Sequence, residues 1–378
     1  MGSGSKVRLQ TFWQEPPGGV EHADGRAPSP GLQNGTMGGM RRRPRPRPEA
    51  PELRLLDPAE GAWVAGTLEA GARLGSVAST VPVGNPAPYE AIARIFHPVP
   101  WHHRRWDDGA ASRVRGLGLM PGETADFRRD TSADEDLRTV HAYGWTDWGT
   151  VARDQGTELH AAAQWADLAR VDQDEASRSA VEAALEFGPP EQGALAPSAM
   201  AALAEVLLQH TGTPDRLVLG LWPGRGWMDG GSAVFGPSVG EATGGRHSSL
   251  EMPPAFGPAT LRALRTGSGL LDVGGGYREY LLVADDGARL RRPFWPRAVH
   301  PLLPEHDRTE YQSANLAWPR DRAWALASEI DFDSTLVAGS ADLIRVLCAD
   351  PGLEAVTVRP ETDLTWFADT VNHRGPVG

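Results

Sequence analysis

The segment from residue 315 to 349 constrains the fold more than any other part of the chain. Residues 323–327 are apolar without interruption, and acidic and apolar residues then alternate up to residue 333. A period of two is typical of a half-buried strand. Leu336 and Val337 predict a second short strand, and Ser340 predicts the N-cap of a helix with Leu343 and Leu347 on one face. We therefore predict strand, strand and helix, all belonging to a core.

The rest of the chain mixes strand and helix patterns without the regular alternation of a parallel sheet. Apolar runs predict strands over residues 77–83, 89–96, 217–222 and 280–284, and the second run also fits a helix. Helices are predicted near residues 148–152, 161–168, 175–185 and, most clearly, from Pro197 onward. We predict an α+β fold with mixed or antiparallel sheets and flanking helices.

Composition divides the chain into a tail and a body. Residues 1–50 are rich in Gly, Pro and Arg and predict a disordered tail, and residues 51–378 predict a single body, with a seam near residues 186–197 as the alternative division. The body carries 29 arginines against 45 acidic residues, a net charge of −16. Such a body repels a phosphate backbone, so nucleic-acid binding by the folded part is not expected. No apolar run is long enough for a membrane span, and we expect a cytoplasmic protein.

Two residue types exclude whole classes of chemistry. Lys6 is the only lysine, and it lies in the tail, where it cannot serve a P-loop, a pyridoxal-phosphate Schiff base or a protein kinase site. Cys348 is the only cysteine, which excludes a disulfide framework and a cysteine-based zinc or iron–sulfur site. Its position on a predicted helix indicates a small buried apolar residue.

An acidic face is the first candidate site. Glu329, Asp331 and Asp333 share one face if residues 327–333 form a strand, and three carboxylates could bind a cation or perform acid–base chemistry. Trp318 and Arg320 lie close in sequence and could pair with them. A solvated outer face of a sheet gives the same alternation.

An aromatic turn is the second candidate site. Trp222, Arg225 and Trp227 lie on a Pro/Gly-rich turn after a predicted strand. If they are exposed, they would form an anchor for a partner or a flat ligand, and if they are buried, they would close a hairpin.

Two further patterns resemble sites but have a simpler interpretation. The run over residues 271–276, Leu-Asp-Val-Gly-Gly-Gly, is similar to the glycine loop of S-adenosylmethionine-dependent methyltransferases, but a strand pattern follows it where a helix should begin, so we favour a hairpin bend. His97, His102 and His103 could hold a metal, but they lack the spacing of known zinc motifs. We predict no cofactor and no metal.

Five segments together resemble a family of uncharacterised proteins from GC-rich actinobacteria. They are residues 89–98 (YEAIARIFHP), 210–222 (HTGTP leading to LW), 313–324 (SANLAWPRDRAW), 328–340 (SEID leading to GS) and 364–372 (LTW leading to N). The resemblance covers about residues 60–372, and it implies one fold without assigning an activity or a catalytic residue. Where family members have a second Trp, this chain has Ala317, and Phe367-Ala368 departs from the last motif.

These observations predict a non-enzymatic binding or regulatory protein, with an immunity or accessory role as one form, whose partner is another bacterial protein. The alternative is a small-molecule enzyme that uses the acidic face or the loop at Gly274 to Gly276. The two hypotheses differ in whether the three carboxylates line a concave pocket.

Overall fold

Thirteen strands are present in the described part of the chain, and eight of them form one antiparallel sheet. The computed structural model describes residues 54–68, 75–82, 89–103, 142–170, 185–225, 231–235, 248–252, 258–273, 278–291 and 312–373. In chain order the strands are β1 (Ala91–Phe96), β2 (Val99–His103), β3 (Ala142–Thr146), β4 (Leu185–Phe187), β5 (Leu217–Leu221), β6 (Gly231–Phe235), β7 (Ser248–Met252), β8 (Leu271–Val273), β9 (Arg278–Asp285), β10 (Leu316–Pro319), β11 (Ala325–Ala327), β12 (Ser334–Gly339) and β13 (Ala355–Val358). The main sheet has the order β13-β1-β12-β11-β10-β5-β9-β8, beside a three-stranded sheet, β3-β2-β4, and a β6–β7 pair.

Seven helices accompany these strands in the same ranges. They are α1 (Ala62–Thr67), α2 (Trp148–Gln155), α3 (Trp165–Leu168), α4 (Pro197–Gln209), α5 (Pro258–Thr266), α6 (Ala288–Arg291) and α7 (Ala341–Ala349). Together with the antiparallel sheet, they confirm the predicted α+β class. None of the helices in these ranges is long and apolar enough to cross a bilayer.

Both faces of the main sheet are covered, because alternate side chains of its central strands enter two different apolar clusters. In β12, Val337 belongs to the cluster that contains Leu203 of α4 and Leu347 of α7. Its neighbours Leu336 and Ala338 belong to the cluster on the opposite face, formed with α1 and the segments around residues 77–81 and 364. The period of two thus serves two cores, so the side chains on both faces of β12 are apolar from Leu336 to Ala338.

Local signals placed several elements correctly. The Ser340 hydroxyl accepts a hydrogen bond from the Leu343 amide (3.2 Å), which makes Ser340 the N-cap of α7 as predicted. The helix from Pro197 and the strands over residues 89–96, 217–222 and 280–284 are also present as α4, β1, β5 and β9.

Other predictions were wrong for identifiable reasons. The described part of the strand predicted over residues 77–83, which ends at residue 82, is not a strand: Val77–Ser79 is a 3-10 turn whose apolar side chains are buried against the sheet without pairing to it. The predicted helix over residues 161–168 is reduced to α3. Cys348 is exposed, because it lies on the outer side of α7. The predicted tail, residues 1–50, lies outside the described residues.

Candidate functional site

Most of the candidate residues lie at one end of the main sheet. Because neighbouring strands are antiparallel, β1, β5 and β11 end where β9, β10 and β12 begin. The acidic segment after β11, the aromatic turn after β5 and the bend between β8 and β9 all meet this end. Trp318 and Arg320 do not: Trp318 lies in the half of β10 towards the opposite end, and Arg320 follows the last paired residue of that strand.

A chain of buried polar side chains crosses the sheet at this end. Asn315 donates hydrogen bonds from Nδ2 to the carbonyls of Gly193 (3.1 Å) and Ser328 (3.2 Å). The Ser328 hydroxyl lies 2.6 Å from that of Thr335, which in turn lies 2.9 Å from Nε2 of His97. These contacts fix the segments between the strands relative to each other and satisfy polar groups that would otherwise be costly to bury.

His97 is a structural residue of this chain. Its Nδ1 lies 2.6 Å from the carbonyl oxygen of Glu191, which can only accept, so Nδ1 carries the proton and Nε2 accepts from Thr335. The pKa of His97 is lowered to about 4. Burial is the main cause and the charge of Arg94 adds to it, while the hydrogen bond to the Glu191 carbonyl opposes both. The imidazole is therefore neutral, and each of its two nitrogens already has a hydrogen-bond partner.

A histidine metal site, which was considered from the sequence but not favoured, is not assembled around His97 in the part of the chain that can be described. The side chains of His102 and His103 lie outside that part. Within it, no group of three or more His, Cys, Asp or Glu side chains is arranged to hold a metal ion.

Arg94 is the central buried charge of the site, although β1 is otherwise apolar. Its guanidinium donates to the Ser334 hydroxyl (2.9 Å), to the carbonyls of Ala161 (3.0 Å) and Ala163 (2.8 Å), and to Asp333 (3.3 Å). It also lies 4.6 Å from the ring centroid of Phe96. Arg94 thereby fastens the segment before α3 to the start of β12.

Asp333 is the counter-charge of Arg94. Its side chain is only 15% exposed, and its nearest described cation is this guanidinium. Burial raises the pKa of Asp333 above its ordinary value, and the charge and hydrogen bond of Arg94 counteract part of the rise. The expectation that Asp333 lies on a solvated strand face is wrong.

Glu329 and Asp331 lie in a turn. The chain reverses between β11 and β12, with a hydrogen bond from the Phe332 amide to the Glu329 carbonyl (3.0 Å), so the predicted strand over residues 327–333 is absent. The turn places Phe332 against the core and leaves Asp331 exposed, while Asp333 is largely covered, so the alternation of acidic and apolar residues does not come from a strand. The three carboxylates therefore do not share a strand face.

Arg278, at the start of β9, pairs with two of the three acids. Its guanidinium lies 2.5 Å from Glu329 Oε1 and 2.5 Å from Asp331 Oδ2. Glu329 is largely covered, whereas the Asp331 side chain is 67% exposed. The partners of the acids are thus Arg278 and Arg94, and the predicted pairing with Trp318 and Arg320 is not observed.

The remaining candidate site residues lie in different environments. Trp222 is half-buried and its amide donates to Asn315 Oδ1 (2.9 Å), while its ring lies over Gly224, where a Cβ atom would come within 2.1 Å. Arg225 ends the 3-10 turn Pro223–Arg225, and Trp227 lies outside the described residues.

Trp318 is buried edge-on against Trp63, with ring centroids 5.7 Å apart, so it is a core residue. Arg320 is exposed.

The glycine loop is flanked by two paired strands. Leu271 pairs with Tyr280 and Val273 with Arg278, which makes β8 and β9 a hairpin. Gly274, Gly275 and Gly276 themselves lie outside the described residues. A cofactor loop of the methyltransferase type would lead from a strand into a helix, so the strand that follows contradicts that alternative and agrees with the hairpin favoured from the sequence.

A cleft of about 490 Å³ opens beside the turn between β11 and β12. We call it the acidic cleft. Asp331 and Asp333 line it and Glu329 does not, so two of the three predicted carboxylates border a concave surface. Phe332 of the same turn also lines it. The other lining residues come from three segments, around α3, before α4 and near the C-terminus: Gln164, Trp165, Ala166, Pro189, Pro190, Glu191, Gln192, Leu364 and Trp366.

One wall of the cleft is fixed by Gly193. Its backbone has φ of +70°, and an added Cβ would lie 2.7 Å from Ile330 Cα. Its amide donates to the Phe332 carbonyl (2.8 Å). Only glycine allows the segment before α4 to approach the acidic turn this closely.

The opposite wall is the C-terminal turn, residues 364–372, which is anchored at both ends. Leu364 is buried and its amide donates to the Gly75 carbonyl (3.0 Å). At the other end, Asp369 accepts hydrogen bonds from the Gln164 amide (3.1 Å), His160 Nε2 (2.8 Å) and the Asn372 amide (2.8 Å). Burial acts to raise the pKa of Asp369, but these hydrogen bonds outweigh it and the pKa is lowered. The turn is therefore held firmly on the body.

Between these anchors, the C-terminal turn exposes large apolar side chains. Trp366 is 57% exposed, Phe367 84% and Val371 57%. Trp366 lines the acidic cleft, so an apolar surface continues from the cleft onto the rim.

Apart from Asp331 and Asp333, the residues that build this cleft were not identified from the sequence. Arg94 carried one usable signal, since an arginine inside an apolar strand must find a buried partner. Arg278 and Trp366 carried none, because a single arginine or tryptophan does not indicate its distant neighbours.

Comparison of the chain with protein-family models, with curated proteins and with solved structures finds no match. The resemblance to an actinobacterial family therefore stays a prediction.

Proposed function

We propose that the protein is a non-enzymatic binding or regulatory protein, and that the acidic cleft and the C-terminal turn together receive a segment of a partner protein. The observation that carries this proposal is the exposure of Trp366 and Phe367 on a turn that is anchored at both ends. Aromatic side chains exposed on a rigid support, beside a pocket, are typical of the anchors of protein interfaces.

The cleft itself supports the same function. Its volume of about 490 Å³ lies in the range of ligand pockets, roughly 300–1,000 Å³. It can accept one or more side chains of a partner, while Phe367 and Val371 extend the contact beyond the cleft. Because the body carries a net charge of −16, a positively charged partner would be attracted over a distance. We place this binding in the cytoplasm.

The alternative, a small-molecule enzyme, is favoured by one observation: Asp333 lines the cleft and has a raised pKa. The contact with Arg94 supports a structural role for Asp333 instead. Removing this carboxylate would leave a buried guanidinium without its counter-charge.

Selection from a random peptide library tests the proposal without a known partner. The full chain would be immobilised and panned against a phage library of random dodecapeptides, and selected peptides would be synthesised and titrated. We expect peptides that bind the unaltered protein and lose at least tenfold in affinity for Trp366→Ala. Trp145→Ala, which alters another exposed tryptophan (43% exposed), is the matched control and should change the affinity less than twofold.

Two outcomes would contradict the proposal. One is a selection that yields no binding peptide. The other is a set of peptides whose affinity does not depend on Trp366, which would place recognition elsewhere.

A further inference from the structure

The charges of the acidic cleft are of one sign. Its lining includes Glu191, Asp331 and Asp333, and no Lys, Arg or His is found among the described lining residues. Arg94 and Arg278 are not among the lining residues, and their guanidinium groups pair with Asp333 and Asp331 and hold these carboxylates in place. A positively charged group that enters the cleft therefore meets carboxylates before it meets another cation.

Asp331 has one carboxylate oxygen that accepts no hydrogen bond from the described residues. Its Oδ2 atom accepts from Arg278, and its Oδ1 atom has no hydrogen-bond partner among the described residues. With 67% of the side chain exposed, this carboxylate can accept a second charged donor without losing Arg278. Asp333 differs, because Arg94 already engages it in the protein interior.

The remaining walls favour a flat cation. Trp165, Phe332 and Trp366 line the same cleft, and aromatic faces attract cations. A guanidinium stacks on such faces and presents its N–H groups in one plane, so it can contact a ring and a carboxylate together. An ammonium group is strongly hydrated and lacks this planar geometry.

We infer that the acidic cleft selects an arginine side chain of the partner segment, with Asp331 as its carboxylate acceptor and Trp366 as its aromatic wall. This inference rests on the proposed function and names the chemistry that the partner must present. The basis is the complementarity of charge and shape between a guanidinium and the lining of the cleft.

Citrulline substitution tests the inference. Citrulline keeps the planar shape of arginine and removes its charge. Each peptide selected for Trp366-dependent binding would be synthesised with arginine, citrulline or lysine at its basic position, and its Kd would be measured with the full chain. We expect every such peptide to contain arginine, citrulline to weaken binding at least tenfold, and lysine to weaken it at least threefold.

The Asp331→Asn variant tests whether Asp331 accepts the hydrogen bonds of the partner's arginine. In this variant the arginine peptide should bind at least fivefold more weakly, and replacing arginine by citrulline should then cost less than threefold. Asp215→Asn is the control, because Asp215 is an exposed acid before β5, at the other end of the sheet. This control should bind like the unaltered protein.

The outcomes separate the inference from the proposed function. Peptides that require Trp366 but contain no arginine would overturn the inference and leave the proposed function standing, as would arginine peptides that are insensitive to citrulline or to Asp331→Asn. A selection without Trp366-dependent peptides would overturn both.

Discussion

Single side chains of this protein have roles that depend on partners far away in the sequence. Asp331 and Asp333 illustrate this, since they are two residues apart in one turn and have different environments. Asp331 is mostly exposed and shares Arg278 with Glu329, whereas Asp333 balances a guanidinium that is 1% exposed. The two acids should therefore respond differently to the same substitution.

Asp333→Asn should lower the free energy of unfolding by about 3–5 kcal/mol, because it leaves Arg94 as an uncompensated buried charge. Asp331→Asn should change the free energy of unfolding by less than about 1 kcal/mol, as is usual for exposed ion pairs. Urea titration of both variants measures the difference. Equal effects would mean that Arg94 does not depend on Asp333.

His97 should make the protein sensitive to acid. In the folded protein its pKa is about 4, whereas an unfolded histidine has a pKa of about 6.5. Between these values the unfolded state binds the proton and the folded state does not, so stability falls as the pH falls. The shift corresponds to about 3 kcal/mol lost between pH 6.5 and 4.

Urea titrations of the unaltered protein and of His97→Gln from pH 7.5 to pH 4.5 test this prediction. Burial raises the pKa of Glu354 to about 7, and this carboxyl makes the folded protein more stable as the pH falls, which is the opposite slope. Both proteins share that contribution, so the difference between them isolates His97. Parallel pH profiles would show that the imidazole does not titrate with a shifted pKa.

At the scale of the elements, local sequence signals located α2, α4, α7 and several strands of the main sheet, and long-range pairing decided the rest. Ser340 and the apolar face of Leu343 and Leu347 specify α7 without any other part of the chain. The turn after β11 was predicted as a strand, because a period of two is equally produced by a turn with one apolar side chain directed inward. Its ion pairs were not predictable, since Asp333 and Arg94 are 239 positions apart.

The contact between the acidic turn and the segment before α4 depends on one glycine. Gly193→Ala should lower the free energy of unfolding by at least about 2–3 kcal/mol, because positive φ disfavours alanine and the new Cβ would clash with the Ile330 backbone.

Gly156→Ala is the matched control for this prediction. Gly156 has φ of +65° but no atom within 4 Å of an added Cβ, so alanine there should cost only about 1 kcal/mol. Chemical denaturation compares the two variants. If both cost the same, the close approach at Gly193 does not constrain the cleft.

At the scale of the whole molecule, the antiparallel sheet divides the protein into an end that carries the acidic cleft and an end that does not. The two covered faces hold the sheet rigid, and the loops at one end converge on Asp331 and Trp366. The sequence predicted the class of this fold and several of these acids. It did not predict the aromatic rim, because exposed and buried tryptophans look alike in a sequence with 13 of them.

Hydrogen–deuterium exchange of the full chain, with and without a selected arginine peptide at saturation, tests the central claim most directly. If the peptide occupies the acidic cleft, its addition should slow amide exchange in residues 328–333 and 364–372. Exchange should not change in residues 211–216 and 320–322, at the other end of the sheet. Protection at the other end, or unchanged exchange in both cleft segments, would contradict the claim.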